Sequence, residues 1–286
     1  MQISIKALKS FIKYNVSVAV TFTAITGYIV YAQSINLEIL TLVLGVFLLA
    51  GGSSSLNEVQ EYKYDALMER TKNRPLPTGE FTLKQAIVIS SFFILSGTLV
   101  LYVQFGIIPA LLGLFNIFWY NGLYTPYKRI SAFAVVPGSL VGAVPAFIGW
   151  TAAGGYVFDA TIVFIGLFLF IWQVPHFWLL MFKYGTQYEG AGFPTINHVF
   201  SKFGLKKVIF VWVLCTSFIA LIIPLFLSQL SFWFFLMVFT LNLIFIGLFA
   251  KLAFNTTEEI NFRKSFIGIN IYMMFFMLML IGFHLF

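Results

Sequence analysis

Asn57, Glu61 and Asp65 recur every four residues in the stretch NEVQEYKYDALMERTKNRPLPTG (Asn57–Gly79). On a helix each such step turns the face by only about 40°, so the three side chains project the same way. Two carboxylates and an amide oxygen are hard donors that suit Mg²⁺, an ion that keeps several waters and is completed by substrate phosphate. Arg70, Lys72 and Arg74 follow directly, and fixed cations there can neutralise diphosphate oxygens. An amphipathic helix at a membrane surface, its acids paired with Lys63 and Arg70, would explain the same spacing without chemistry.

These residues sit in a chain that is 60% hydrophobic and 9% charged over 286 residues, with a mean hydropathy of +0.94. A helix needs roughly 20 apolar residues to cross a bilayer. Nine segments qualify, at about 15–33, 38–56, 84–103, 107–125, 134–152, 160–181, 207–227, 230–250 and 266–286. The expected fold is all-α: a polytopic bundle of nine transmembrane helices in one domain over residues 1–286, with the lipid bilayer as its solvent. The second helix is expected to run beyond its apolar part and end near Pro75, because proline removes a donor and disfavours helix in the residue before it. A tight turn is expected at Phe105-Gly106. The first apolar run lacks a clear cleavage site and reads as a retained helix rather than a signal peptide. Cys215, the one cysteine, is expected to be a small buried residue.

The net charge of +7 does not point to nucleic acid, because of where the charge falls. With the N-terminus in the cytoplasm, loops 57–83, 126–133, 182–206 and 251–265 lie inside. All 17 Lys and Arg residues then fall inside or at inner helix ends, leaving Glu38 and Asp159 outside. This is the positive-inside pattern, which places the N-terminus and the candidate site in the cytoplasm and the C-terminus outside. A transporter would carry ionisable groups along its spans; almost none occur here. The first and third inner loops are the longest and most polar and follow helices four apart, which suggests two similar halves with a site between them. Pro137, Pro145 and the glycines at 138, 142 and 149 permit close helix approach or an unwound stretch.

Three ordered motifs resemble one family. The string N-x-x-x-E-x-x-x-D followed by DALMERTKNRPLPTG is similar to the first signature of the UbiA superfamily of intramembrane prenyltransferases. Its tail is most like the haem O synthase branch, the protohaem IX farnesyltransferases. YTPYKR (Tyr124–Arg129) with Pro137–Gly155, and WQVPHFWLLMFKYGTQYEGAGFP (Trp172–Pro194), are similar to two further segments of that branch. The resemblance covers roughly residues 50–200. It implies nine helices around a central cavity open to the membrane, in a bacterial plasma (inner) membrane. It also implies Mg²⁺-dependent transfer of a farnesyl group from farnesyl diphosphate to haem B, and a product passed to a haem-copper oxidase or a haem A synthase.

Carried onto this chain, the resemblance makes Asn57, Glu61 and Asp65 the holders of Mg²⁺–diphosphate. Arg70, Lys72, Arg74, Lys128 and Arg129 would grip diphosphate oxygens. His176, Trp172 and Tyr188 would contact haem; a porphyrin needs flat apolar walls and accepts an axial imidazole. The alternative for His176 is a histidine hydrogen-bonded inside the bundle. His198 is read as equally a solvated loop residue, and His284 as structural.

Two positions depart from the family pattern. Many haem O synthases read D-R-D-x-D where this chain has Glu61-Tyr62-Lys63-Tyr64-Asp65, so Lys63 replaces the middle acid. Relatives often carry an acid where Gln187 precedes Tyr188. Asp65 and Asp159 are the only aspartates, so the second aspartate pair of most other branches is absent and Glu189 is the sole acid of the third loop. That disfavours acceptors such as quinone precursors. It leaves a non-catalytic assembly factor as the rival of another class.

Overall fold

A computed structural model describes residues 4–227, 231–254 and 262–286. Among them lie nine helices long and apolar enough to cross a membrane. A short leading helix, α1 (Ile5–Phe11), precedes them. The spans are α2 (Tyr14–Ala32), α3 (Glu38–Asp65), α4 (Leu83–Phe105), α5 (Ile107–Tyr127), α6 (Val135–Ala152), α7 (Ala160–Gly190), α8 (Lys202–Phe226), α9 (Phe232–Phe254) and α10 (Phe262–Leu285). The chain is an integral membrane protein. Exposed large apolar residues such as Val88, Phe92, Leu95 and Leu99 on α4 face outward, as lipid-facing surface does.

The apolar segments expected from sequence match these spans, and the turn at Gly106 is present with φ +85°. Two boundaries move. The second predicted helix ends at Asp65 rather than near Pro75. Its exposed carbonyls find other donors: Thr71 Oγ1 donates to Asp65 O at 2.9 Å and Met68 N to the same oxygen at 3.3 Å. The following coil folds back, with Leu76 N donating to Glu58 Oε1 at 3.0 Å. In the other direction, α7 runs on to Gly190 through residues read as loop, and Gly192 at φ +84° closes it. Cys215 lies on an exposed face of α8 rather than in the core. Of the fourth inner loop expected at 251–265, residues 255–261 lie outside the described set.

The core has two main parts. One joins α6–α10 around Phe168, Trp172, Tyr272 and Phe276; the other joins α2–α6 around Tyr28, Leu42, Leu101 and Val144. Helices α2 and α6 meet backbone to backbone: a Cβ on Gly149 would collide with Ala24 O, and one on Gly27 with Ala146 O. Small residues at both faces permit that approach. Of the two acids expected outside, Asp159 caps α7, its Oδ1 accepting from Thr161 N at 2.8 Å, and Glu38 ties α3 to α2, its Oε2 accepting from Tyr28 OH at 2.8 Å.

Helix α1 folds against the coil after α3, with Phe11 packed on Phe81 at 5.1 Å within a cluster that includes Leu76 and Ala86. This docking sets where α2 begins.

Candidate functional site

The C-terminal turns of α3 are polar yet buried: Asn57, Glu61 and Asp65 are each 4% exposed or less. All three line one cavity of about 810 Å³, toward the upper end of the roughly 300–1,000 Å³ usual for small-molecule sites. The single face expected from their spacing is therefore real.

Each member meets a cation. Arg74 Nη1 lies 2.7 Å from Asp65 Oδ2, and Lys128 Nζ 2.5 Å from Glu61 Oε2. Lys13 Nζ donates to Asn57 Oδ1 at 2.9 Å. Asn57 Nδ2 donates to Glu61 Oε2 and to Thr125 Oγ1, both at 3.1 Å, which turns the amide oxygen toward Lys13. Burial opposes the charge on Arg74, but Asp65 outweighs it and raises the guanidinium pKa. Lys13 has no such net gain: burial first, then Arg74 and Lys128, push its ammonium down to about 7.

A π-helical stretch in α5, Phe118–Tyr124, forms the facing wall. Wide turns of this kind occur mostly as local bulges, often at functional sites. Here Asn121 holds it. Its side chain accepts from Ser53 Oγ at 2.7 Å and donates to Ser53 O and Gln60 Oε1 at 3.1 Å, while Gln60 Nε2 returns a bond to Asn121 O at 2.9 Å. The stretch presents Tyr120 and Tyr124 to the cavity, stacked at 5.7 Å. Lys128 lies 5.7 Å from the Tyr124 ring centre.

The last turns of α7, which the sequence reads as the start of the third loop, close the same end. Arg70 N donates to Gln187 Oε1 at 3.1 Å, and Arg70 Nη2 to Tyr188 OH at 2.6 Å. The guanidinium also lies over the rings of Tyr184 and Tyr188. The two long loops thus meet, as their spacing suggested.

Of the eleven residues singled out from sequence, nine line the cavity: Asn57, Glu61, Asp65, Arg70, Arg74, Lys128, Trp172, His176 and Tyr188. Lys72 and Arg129 do not. Lys72 pairs with Glu69 at 2.7 Å on the exposed side. Arg129 braces the wall from behind, donating to Gln60 O at 2.8 Å with its guanidinium over the Tyr64 ring. Sequence reading passed over Lys13, Tyr120 and Tyr124 as site residues. Tyr124 stood inside a quoted motif and was available; Lys13 carried no signal beyond a positive charge ahead of an apolar run.

Both departures find a place. Lys63 is exposed on the far side of α3, its ammonium 6.0 Å from the Tyr62 ring centre, so the face that carries Asn57, Glu61 and Asp65 is untouched. Gln187 supplies the oxygen that anchors Arg70 N. Glu189 turns to Thr195 Oγ1 and His198.

On α7 and α10 the lining is largely aromatic, with Gln173 and Asn270 among the rings. The His176 ring lies between Trp172 at 5.0 Å and Phe266 at 4.8 Å. Its Nδ1 is buried without a hydrogen-bond partner. Trp172 is itself fixed by Nε1 donating to Ile269 O at 2.8 Å. His284 Nδ1 meets Leu280 O at 2.7 Å, the structural role expected for it.

The donor set fits a hard divalent cation. Among the described residues Glu61 Oε1 is buried with no hydrogen-bond partner, and Asp65 and Asn57 sit beside it on the same face. No group of three or more His, Cys, Asp or Glu side chains occurs among the described residues. A metal here would rest on two carboxylates and one amide, with ligand oxygens completing its shell.

Comparison with known proteins agrees with this architecture. A family model described as the UbiA prenyltransferase family matches residues 20–279. A protohaem IX farnesyltransferase of Geobacter sulfurreducens is 36% identical over 203 residues, 71% of this chain and 75% of that one. A solved structure of a digeranylgeranylglyceryl phosphate synthase aligns over 98% of both chains with a TM-score of 0.79 and 17% identity. A UbiA homologue from Archaeoglobus fulgidus, bound to GPP and Mg²⁺, aligns over 96% of this chain and 98% of that chain with a TM-score of 0.72 and 13% identity. At such identities the solved structures speak to fold alone, whereas the family match and the Geobacter relative span most of the sequence. The chain belongs to the UbiA prenyltransferase family.

Proposed function

We propose that this protein transfers a farnesyl group from farnesyl diphosphate to a vinyl group of haem B, making haem O. The observation that carries the reading is the cavity's division. Oxygen donors and cations gather where α3 and α5 end, and Trp172, Phe177 and Phe266 surround a buried imidazole on α7 and α10. The protohaem IX farnesyltransferase relative supplies the acceptor, and the polar end fits a metal-bound diphosphate on its own chemistry.

Asn57, Glu61 and Asp65 would hold Mg²⁺, which when bound offsets charge on the departing diphosphate. Arg70, Arg74 and Lys128 donate to the diphosphate oxygens as the bond from the farnesyl C1 to oxygen breaks. Arg74 and Lys128 are already pointed inward by Asp65 and Glu61. The aromatic walls keep water from the allylic cation, and their ring faces attract it. A terminal vinyl carbon of haem forms the new bond to C1. The cation left on the inner vinyl carbon takes a water molecule and loses a proton, leaving the hydroxyethylfarnesyl group, free diphosphate and one proton. His176 and Trp172 would face the porphyrin, with Tyr188 reaching it from beside Arg70. Lys72 and Arg129 act at one remove, on the loop and the wall.

The placement of basic residues supports a cytoplasmic polar end in a bacterial inner membrane. The product would pass to a haem-copper oxidase or a haem A synthase. Purified protein supplied with farnesyl diphosphate, Mg²⁺, haem B and candidate phenols, with products resolved by mass spectrometry, tests the function. Farnesylated haem is the expected product; a farnesylated phenol with haem untouched would overturn it. Asp65→Asn is expected to reduce turnover by about 100-fold or more, since one carboxylate serves both metal and Arg74. Near-normal turnover would remove Asp65 from the metal site.

A further inference from the structure

We propose that Lys13 is a diphosphate-binding residue, held on Asn57 until metal and diphosphate arrive. The inference rests on the reading of the acid face as a metal–diphosphate site.

Lys13 stands at the junction of α1 and α2. Its backbone is left-handed, φ 46° and ψ 55°, a conformation that is uncommon for a residue with a Cβ. Among the described non-glycine residues only Gln33 also has a positive φ. The surroundings enforce it. Phe11 is buried against Phe81, Ile12 is buried beside it, and Ser17 Oγ donates to Ile12 O at 2.8 Å. The chain turns at residue 13 and sends the ammonium inward. Lys6 and Lys9 on α1 are exposed, as lysines serving topology alone are; Lys13 instead lines the cavity.

Its contact is with the wrong partner for a resting lysine. The Asn57 oxygen that it occupies, 2.9 Å away, is the one that a metal on this face would use. Asn57 Nδ2 is committed to Glu61 and Thr125, so the amide cannot offer its other end. Metal binding therefore displaces Lys13. The freed ammonium sits among Arg74, Lys128 and the oxygen donors, and the partner that stabilises it there is an anion beside the metal.

The charge count points the same way. The cavity is lined by four cations (Lys13, Arg70, Arg74 and Lys128) against two carboxylates (Glu61 and Asp65). A divalent cation alone deepens that excess; a diphosphate beside the metal offsets most of it. Lys13 then replaces its neutral amide acceptor with an ionised oxygen, the stronger kind of hydrogen bond.

Binding measurements on the purified full chain in detergent test this without turnover. The probes are Mn²⁺ alone, followed by its paramagnetic resonance, and inorganic pyrophosphate or farnesyl S-thiolodiphosphate in the presence of Mg²⁺, followed by calorimetry. Lys13→Met is expected to weaken both diphosphate probes about ten-fold, the loss of one charge-assisted bond, while Mn²⁺ alone binds as tightly or more tightly because its competitor is gone. Lys13→Arg is expected to retain most of the diphosphate affinity. Unchanged diphosphate binding in Lys13→Met overturns the proposal. So does a joint loss of Mn²⁺ and diphosphate binding, which marks a structural lysine. Asp65→Asn serves as the control. If it loses Mn²⁺ while Lys13→Met binds diphosphate normally, only the Lys13 role fails. If it binds both ligands normally, the metal site fails and this proposal with it.

Discussion

Gln187 and Lys63 show how much of a side chain's meaning depends on where it points. Gln187 holds Arg70 through a backbone N–H at 3.1 Å, and that task needs an oxygen rather than a charge. Gln187→Glu is therefore expected to keep the farnesyl diphosphate KM within about three-fold. Gln187→Leu leaves the Arg70 N–H without its acceptor, at a cost of about 1 kcal/mol, and is expected to raise that KM several-fold with kcat less affected. Steady-state kinetics on the two variants separates them; equal behaviour would remove the clasp from the binding site. Lys63 lies on the exposed side of α3. Returning an acid there, Lys63→Asp, is expected to change stability by no more than about 0.5 kcal/mol and to leave Mn²⁺ affinity as it was. A tighter metal in that variant would mean that the middle acid of the family motif reaches the site after all. The Asn57, Glu61 and Asp65 ladder was legible from sequence because helical period alone places the three on one face. Lys13 was not: nothing local connects residue 13 to residue 57, and only the docking of α1 on the coil after α3 brings them together.

At the scale of elements, the nine spans followed from bilayer thickness, because a segment of about 20 apolar residues has few other stable uses. The ends did not follow so readily. ALMERTKNR has good helix formers, yet α3 stops at Asp65 because Thr71, Arg74 and Leu76 turn the coil back onto it. The π-helical stretch of α5 was invisible for the same reason: its cause is Asn121, bonded to Ser53 and Gln60 on another helix. That staple fixes Tyr120, Tyr124 and, one turn on, Lys128. Asn121→Leu removes the donors and acceptor that hold the wide turn and leaves Ser53 and Gln60 unmatched. The expected loss of stability is about 2–4 kcal/mol, the cost of several buried polar groups left unpaired. Thermal unfolding in detergent would measure it. Diphosphate affinity should fall as well, because Lys128 loses its bearing on Glu61. A variant that unfolds like the parent and binds diphosphate normally would show that α5 adopts its π turn for reasons of its own.

Across the whole molecule, the proposed function asks one cavity to take two ligands of opposite character, so damage to the groups that serve one should leave binding of the other intact. The acids, Arg74 and Lys128 are gathered where α3 and α5 end, while Trp172, His176 and Phe266 lie on α7 and α10. His176 is the test of that division. It is packed against the Trp172 and Phe266 rings, and its Nδ1 has no hydrogen-bond partner among the described residues; a buried polar atom left unmatched in this way calls for a ligand or for water. His176→Phe preserves a flat ring of similar size and removes both nitrogens. Farnesyl S-thiolodiphosphate should bind this variant as it binds the parent. Haem B affinity should fall about ten-fold, near 1.4 kcal/mol, and any imidazole contribution to the absorption spectrum of bound haem should vanish. Titrating haem B into parent and variant, with and without the diphosphate analogue, measures both quantities at once. Equal haem affinity in the two proteins would make His176 a packing residue and shift the acceptor site toward Tyr188. A parallel loss of diphosphate affinity would show that the two ends do not act independently.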